Sequence, residues 1–367
     1  MFVRPLWRVW QNVKMQKRVW FDRVWGLLRL FVSCAVLASC HSMWGPFLGE
    51  NPECTEHPER CQANNNIDGG NADASSLPPG CTPDKWCRQK SLPQDHLYGI
   101  WGADANNVWA VGQNGAIQKW NGTTWTKQTS GTSQTLYGVW GADSQNVWAV
   151  GGGGTILKWN GKDWSAQSSG TPDPLYGIWG TDVKNIFAVG GPDDRGSSFK
   201  WNGTVWQTEA PIDGLSTFHG VWGAGATNVW IIGRLGGILH QSGTSWKKEV
   251  SGLPLDKLVD LYAVWGTDAS NVWAVGAQGA ILRWYEAKWN LFMPPMNTYA
   301  DLLAVWGTSE DNVLAVGRGG KLGRFEGVVW KTEASGTSET LHAVWGTDAS
   351  NVWVVGDFGT ILHYPTP

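Results

Sequence analysis

Charge is scarce in this 367-residue chain: Asp, Glu, Lys and Arg make up 16% of it, against roughly 25% in an average soluble domain. That shortage excludes a long coiled coil and a charged disordered chain. Glycine is plentiful, with 48 residues, but it does not recur at every third position, which excludes a collagen. No stretch sustains a helical period, and the apolar run 30–38 is too short to span a bilayer core of ~30 Å. Clustered cations are also lacking. Residues 1–39 carry seven Lys/Arg and one Asp, leaving 21 basic groups against 30 acidic ones in the remainder. Nucleic-acid binding needs clustered cations to displace counterions, so nucleic acid is excluded as a partner. The signatures of common chemistry are missing too. There is no G-x-S-x-G, no HExxH and no phosphate-cradling G-x-x-x-x-G-K-[ST]. Neither CxxC spacing nor a paired-His motif is present for zinc, and the DxDxDG spacing of a calcium loop is absent. No cofactor and no metal are expected.

Tryptophan is what the chain has in excess, with 28 residues. From His96 onward one unit of about 40 residues recurs, with residues 136–174 as its type. The Trp of its opening LYGVWG-like run falls at Trp101, Trp140, Trp179, Trp222, Trp265, Trp306 and Trp345, in steps of 39, 39, 43, 43, 41 and 39 residues. Each unit holds four short runs rich in β-branched and aromatic residues, separated by Gly, Asn and Asp turns. Strand A is LYGVW, strand B NVWAV, strand C TILKW, and strand D starts at the Trp that follows WNGxx. This pattern predicts an all-β, seven-bladed β-propeller with four antiparallel strands per blade.

The seventh unit stops at Tyr364 after its third strand. Its missing strand D lies upstream, where Lys85–Ser91 matches Thr124–Ser130, and Trp86 stands 15 residues before Trp101 as Trp125 does before Trp140. Closing the last blade with this N-terminal strand around Trp86 removes an open edge. The expected domains are a signal segment 1–39, a Cys-containing flexible tether 40–84, and the propeller 85–367.

The N-terminal segment has a basic region, long enough that Met15 is an alternative start, then the run 30–38, then Leu37-Ala38-Ser39-Cys40. This end resembles the lipobox of bacterial lipoproteins. The resemblance implies cleavage before Cys40, lipidation of its thiol, and an anchored, exported protein. His41 rather than Asp at the next position favours the outer membrane or cell surface, and membrane contact is through the lipid anchor only. Cys54, Cys61, Cys81 and Cys87 remain, an even number in an exported segment, which reads as two disulfides with three pairings open. Residues 62–80 are polar and rich in Asn, Gly and Pro, so they cannot bury enough apolar area to order themselves. As a coil the tether reaches ~35 Å.

Most repeated positions read as construction. Gly or Ala two residues before each strand A Trp suits crowding at the axis, and a Trp in every strand D suits locking between blades. Asp and Asn three apart at the A–B turn read as Asx turn chemistry. The basic residue of strand C (Lys119, Lys158, Lys200, His240, Arg283, Arg324, His363) reads as cover for an aromatic face or an answer to a carboxylate.

The run GTILKWNGKDW followed by LYGVWG resembles the tectonin repeat of tachylectin-type propeller lectins, and the resemblance covers residues 85–364. It implies a sugar-binding propeller. The chain resembles less closely the Asp-box propellers, which include sialidases and photosystem assembly factors, because its WNGKDW turn is shorter than S-x-D-x-G-x-x-W. A sialidase would need three converging arginines, a Tyr–Glu pair and an acidic proton donor. The few propeller arginines come without an evident Tyr–Glu partner, so the chain is expected not to be an enzyme.

The expected function is therefore glycan or polysaccharide recognition by a monomeric envelope protein. The alternative is a protein-docking scaffold, similar to the propeller lipoprotein of outer-membrane assembly. Either would use the face carrying the B–C and D–A loops, because the A–B and C–D turns repeat with little change. The B–C loop of blade 3 gains three residues, among them Asp193, Asp194 and Arg195, and the D–A connections lengthen after Trp206, Trp246 and Trp289. Loops varied on a rigid frame are where recognition sits. The candidate ligand residues are Asp193, Asp194, Arg195, Arg234, Asp256, Lys257, Tyr299 and Arg318, in blades 3–6.

Overall fold

The structure is a computed structural model that describes residues 80–90, 95–209, 215–292 and 300–364. The signal segment, Cys40, Cys54, Cys61, Tyr299 and most of the tether lie outside the described residues. Seven four-stranded antiparallel sheets are present, and the described residues contain no α-helix. In blade 1 the strands are Leu97–Asp104, Asn107–Gly112, Ile117–Trp120 and Trp125–Gln128, paired in that order. Blades 2 to 6 repeat the arrangement. In the seventh, strands Leu341–Asp348, Asn351–Gly356 and Ile361–Tyr364 are completed by Cys87–Arg88, with Cys87 opposite His363 and Arg88 opposite Leu362. The propeller is thus closed by its N-terminal strand, as the repeat arithmetic requires.

Tryptophan explains how the blades adhere. The buried apolar residues fall into seven clusters, one for each seam between neighbouring blades. The strand B aromatic of one blade meets the strand D Trp of the next, edge to face: Trp353 with Trp125 at 5.4 Å, Trp273 with Trp330 at 5.7 Å, Phe187 with Trp246 at 6.3 Å. Such pairs contribute about 0.5–1.5 kcal/mol beyond the area they bury. The strand C cations lie over the outer face of the same strand B rings. Lys119, Lys158, Lys200 and Arg283 stand 4.7–4.9 Å from ring centres, and the imidazoles of His240 and His363 stack at 4.1 and 3.9 Å. In blade 6, where strand B has Leu314, Arg324 pairs with Glu333 instead and covers Tyr364. These cations are therefore structural.

Nearer the axis each strand A tryptophan lays the edge of its indole on the glycine that follows the corresponding Trp of the next blade. A Cβ built on Gly141 would lie 2.6 Å from Cη2 of Trp101, and the same relation links Trp140 to Gly180, Trp179 to Gly223, Trp222 to Gly266, Trp265 to Gly307, and Trp306 to Gly346. Trp345 reaches Gly102 and completes the circle.

The closing strand is anchored more firmly than a two-residue strand suggests. Trp86 is fully buried, and its indole N–H donates to Glu333 at 2.7 Å. Residues upstream of Lys85 fold back on it: Arg88 N donates to Gly80 O, and Trp86 N donates to Thr82 Oγ1. A Cys81–Cys87 disulfide ties this hairpin, which selects one partner for each of these two cysteines.

The A–B turns have the expected chemistry. Asp104, Asp143, Asp182, Asp268 and Asp348 accept backbone N–H groups two residues on. The side-chain bond from Asn185 and the backbone N–H of Lys184 hold the Asp182 carboxyl below its ordinary range.

Candidate functional site

All seven B–C loops are tied to the D–A loop beside them, so both loop sets share one face. The residue after each B–C glycine donates its backbone N–H to the last carbonyl of that D–A loop: Gln113 to His96, Gly152 to Thr135, Gly191 to Pro174, Arg234 to Thr217, Ala277 to Asp260, Arg318 to Asp301 and Asp357 to Thr340. The loop then turns through a residue in the left-handed region. Glycine takes that place at Gly153 and Gly319, and Asn114 and Gln278 take it elsewhere. Leu235 (φ 52°) and Phe358 (φ 52°) occupy it in blades 4 and 7, and both are exposed, by 56% and 61%.

Below this rim lies a ring that the sequence reading missed. In every blade the pairing of strands A and B skips one residue after the first leucine or phenylalanine of strand A, as between Leu97 and Gly99. Such bulges re-aim a side chain. The skipped residues are Tyr98, Tyr137, Tyr176, His219, Tyr262, Leu303 and His342, all half-buried. They neighbour one another around the axis: ring centres are 5.8 Å apart from Tyr98 to Tyr137, 5.1 Å to Tyr176, 5.9 Å to His219 and 5.4 Å to Tyr262, and His342 meets Tyr98 at 4.8 Å. No phenol hydroxyl of the four tyrosines has a hydrogen-bond partner among the described residues. The sequence carried the signal, because the residue after the opening Leu or Phe of strand A is aromatic in six of seven repeats.

Charge surrounds the ring. Asp357 accepts from His96 Nδ1 at 2.7 Å and from His342 Nε2 at 2.8 Å, and Phe358 leans on His96 at 4.7 Å. Burial raises the phenol pKa of Tyr98, Tyr176 and Tyr262, and nearby carboxylates add to it: Asp357 for Tyr98, Asp193 for Tyr176, Asp301 and Asp260 for Tyr262. Burial also holds His219 and His342 below the usual imidazole range, so both are neutral at pH 7.

The candidate residues divide sharply. Arg234 reaches the Asp193 carboxylate at 3.3 Å and Asp260 at 3.9 Å, and Arg318 pairs with Asp301 at 2.8 Å, so three of the candidates and two further carboxylates form two ion-paired groups beside the aromatic ring. Arg195 pairs instead with Asp173, at 3.1 Å. Asp194 is exposed on the same loop, and Asp256 and Lys257 are exposed on the turn Leu255–Lys257; none of these three forms an ion pair with another described residue. The rim arginines are each committed to a different carboxylate and do not converge on a common point. Among the described residues no group of three or more His, Cys, Asp or Glu is arranged to hold a metal. An outer groove between blades 2 and 3 is lined by Gln167, Trp201, Val205 and Trp206. Its indole N–H groups are already bonded, Trp206 to Gln167 and Trp201 to Val183 O.

A scan against protein-family models and a search of curated proteins return no match. Solved structures share the fold. YCF48 bound to D1 peptide superposes with a TM-score of 0.63 at 16% identity, covering 79% of this chain and 99% of that one. YCF48 from Cyanidioschyzon merolae gives 0.62 at 18%, covering 76% and 98%. The WD40 β-propeller domain of Doa1 gives 0.59 at 11%, covering 75% and 96%. The chain therefore has the fold of a seven-bladed β-propeller.

Proposed function

We propose that this chain is a non-enzymatic, exported binding protein, lipid-anchored through Cys40, that docks a protein or peptide partner on the face formed by its B–C and D–A loops. Leu235 and Phe358 carry this reading. A non-glycine residue in the left-handed region costs about 1 kcal/mol, and blades 2 and 6 avoid that cost with glycine in the same loop. Both side chains stay more than half exposed, Phe358 with its ring against His96, so burial offsets little of the strain. Large apolar groups held exposed at a strained position mark a surface that another molecule covers. Leu255 and Val250, exposed by 91% and 83%, extend the apolar character along the neighbouring D–A connection. The solved propeller bound to a peptide supports the reading as an analogy of fold.

Glycan recognition is the second reading. It is favoured by the four tyrosines with unpartnered hydroxyls, which offer both stacking faces and hydrogen bonds.

The test is a pair of substitutions that borrow the residue of other blades, Leu235→Gly and Phe358→Gly. The protein reading predicts unchanged or slightly raised stability together with lost binding of peptides selected from a random library against the wild-type domain. Retained peptide binding in the double variant would contradict it.

A further inference from the structure

Resting on the docking face just proposed, we infer that the Tyr–His ring is a receptor for a lysine or arginine side chain of the partner. The aromatic faces are the first ground. Neighbouring ring centres lie 4.8–5.9 Å apart, in direct contact, so a cation resting against two adjacent rings at once lies within the ~6 Å at which an aromatic quadrupole attracts it. Net charge is the second. Four carboxylates (Asp193, Asp260, Asp301, Asp357) stand around the ring against two guanidinium groups, Arg234 and Arg318, and both of these are already ion-paired. Burial leaves His219 and His342 uncharged, so they act as neutral ring members and do not repel a cation. The free phenol oxygens add acceptors for an ammonium or guanidinium N–H. An anionic ligand would find its arginines occupied and its approach opposed.

The elements are preorganised. The bulge that presents each ring member recurs in all seven blades, and the loops above are fixed by the backbone bonds described. Leu303 shows that leucine is accommodated at this position without altering strand A of blade 6, Leu302–Ser309.

The experiment uses an oligolysine peptide as probe, its fully acetylated counterpart, and a de-N-acetylated chitin oligomer, titrated calorimetrically into the chain with its anchor cysteine replaced. The variants are Tyr137→Leu/Tyr176→Leu and Tyr137→Phe/Tyr176→Phe. Two lost cation–π contacts correspond to roughly 10-fold weaker binding. The inference predicts that loss in the leucine pair, affinity within about 3-fold of wild type in the phenylalanine pair, and no binding of the acetylated peptide. Oligolysine binding that is untouched by the leucine pair would overturn the inference, because it would then report only the acidic surface. Preference for the chitin oligomer would overturn it in favour of an amino sugar. If oligolysine fails to bind while library-selected peptides still map to this face, the cation receptor is wrong and the docking face stands. If no peptide maps there, both fall.

Discussion

Trp345 of the last blade rests the edge of its indole on Gly102 of the first, in the same contact that Trp101 makes with Gly141 one blade further on. The seam between the last blade and the first is therefore built like the other six. A ring of seven indoles, each needing a bare α-carbon ahead of it, sets the blade spacing, and that spacing in turn positions the seven bulged residues that crown the axis.

Adding a methyl group to one of these glycines should force the ring open locally. Gly141→Ala is expected to destabilise the domain by about 1–3 kcal/mol, the usual cost of overpacking. Gly131→Ala serves for comparison: a Cβ there meets open space, although its positive φ imposes a conformational cost. Chemical denaturation of the two variants measures the difference, and equal midpoints would show that the indole contact does not constrain the ring.

The closing hairpin invites a second comparison. Trp86→Ala removes a fully buried indole and one of the donors to the Glu333 carboxylate, which keeps its pairing with Arg324, so a loss of about 3–5 kcal/mol is expected. Cys81→Ser opens only the short loop to Cys87, for which chain entropy gives about 2 kcal/mol. Thermal unfolding with and without reductant ranks them.

His363 makes stability pH-dependent. Burial against Trp353 pushes its pKa down to about 4, whereas an unfolded imidazole titrates near ~6.5. Between those values the unfolded chain binds the proton and the folded one does not, so stability falls as pH drops from ~6.5 to ~4 and this contribution levels off below. His363→Gln should show a smaller loss across that window than the wild type. Identical pH profiles in urea titrations would remove His363 from the explanation.

The proposed lipid anchor rests on Cys40. Replacement by serine should abolish incorporation of labelled palmitate and release the protein from the membrane fraction, and unchanged labelling and partitioning would refute the anchor.

Repetition made the fold legible. Seven copies in one chain separate what every blade needs from what one blade carries, so the strand order, the closing strand at Trp86 and the structural role of the strand C cations all followed from the residues. Arg234, Arg318 and Asp193 were legible as candidates because they interrupt a repeating rim. Two features were not. Tyr98 and its equivalents sit one residue from a buried leucine, and simple alternation would not announce the bulge that turns them together around the axis. Leu235 and Phe358 look like ordinary loop hydrophobics until the backbone shows them in the left-handed region. The Cys81–Cys87 pairing could not be chosen from spacing, because it depends on the hairpin in which residues 80–82 fold back on the closing strand.

Recognition by the B–C and D–A face is the central claim, and hydrogen–deuterium exchange of the domain with and without a library-selected peptide tests it most directly. Slowed exchange is predicted in residues 95–100, 134–139, 233–237 and 357–360, with the A–B turns around Asp143, Asp182 and Asp348 unchanged. Protection confined to those turns, or to the outer groove at Trp201 and Trp206, would contradict it.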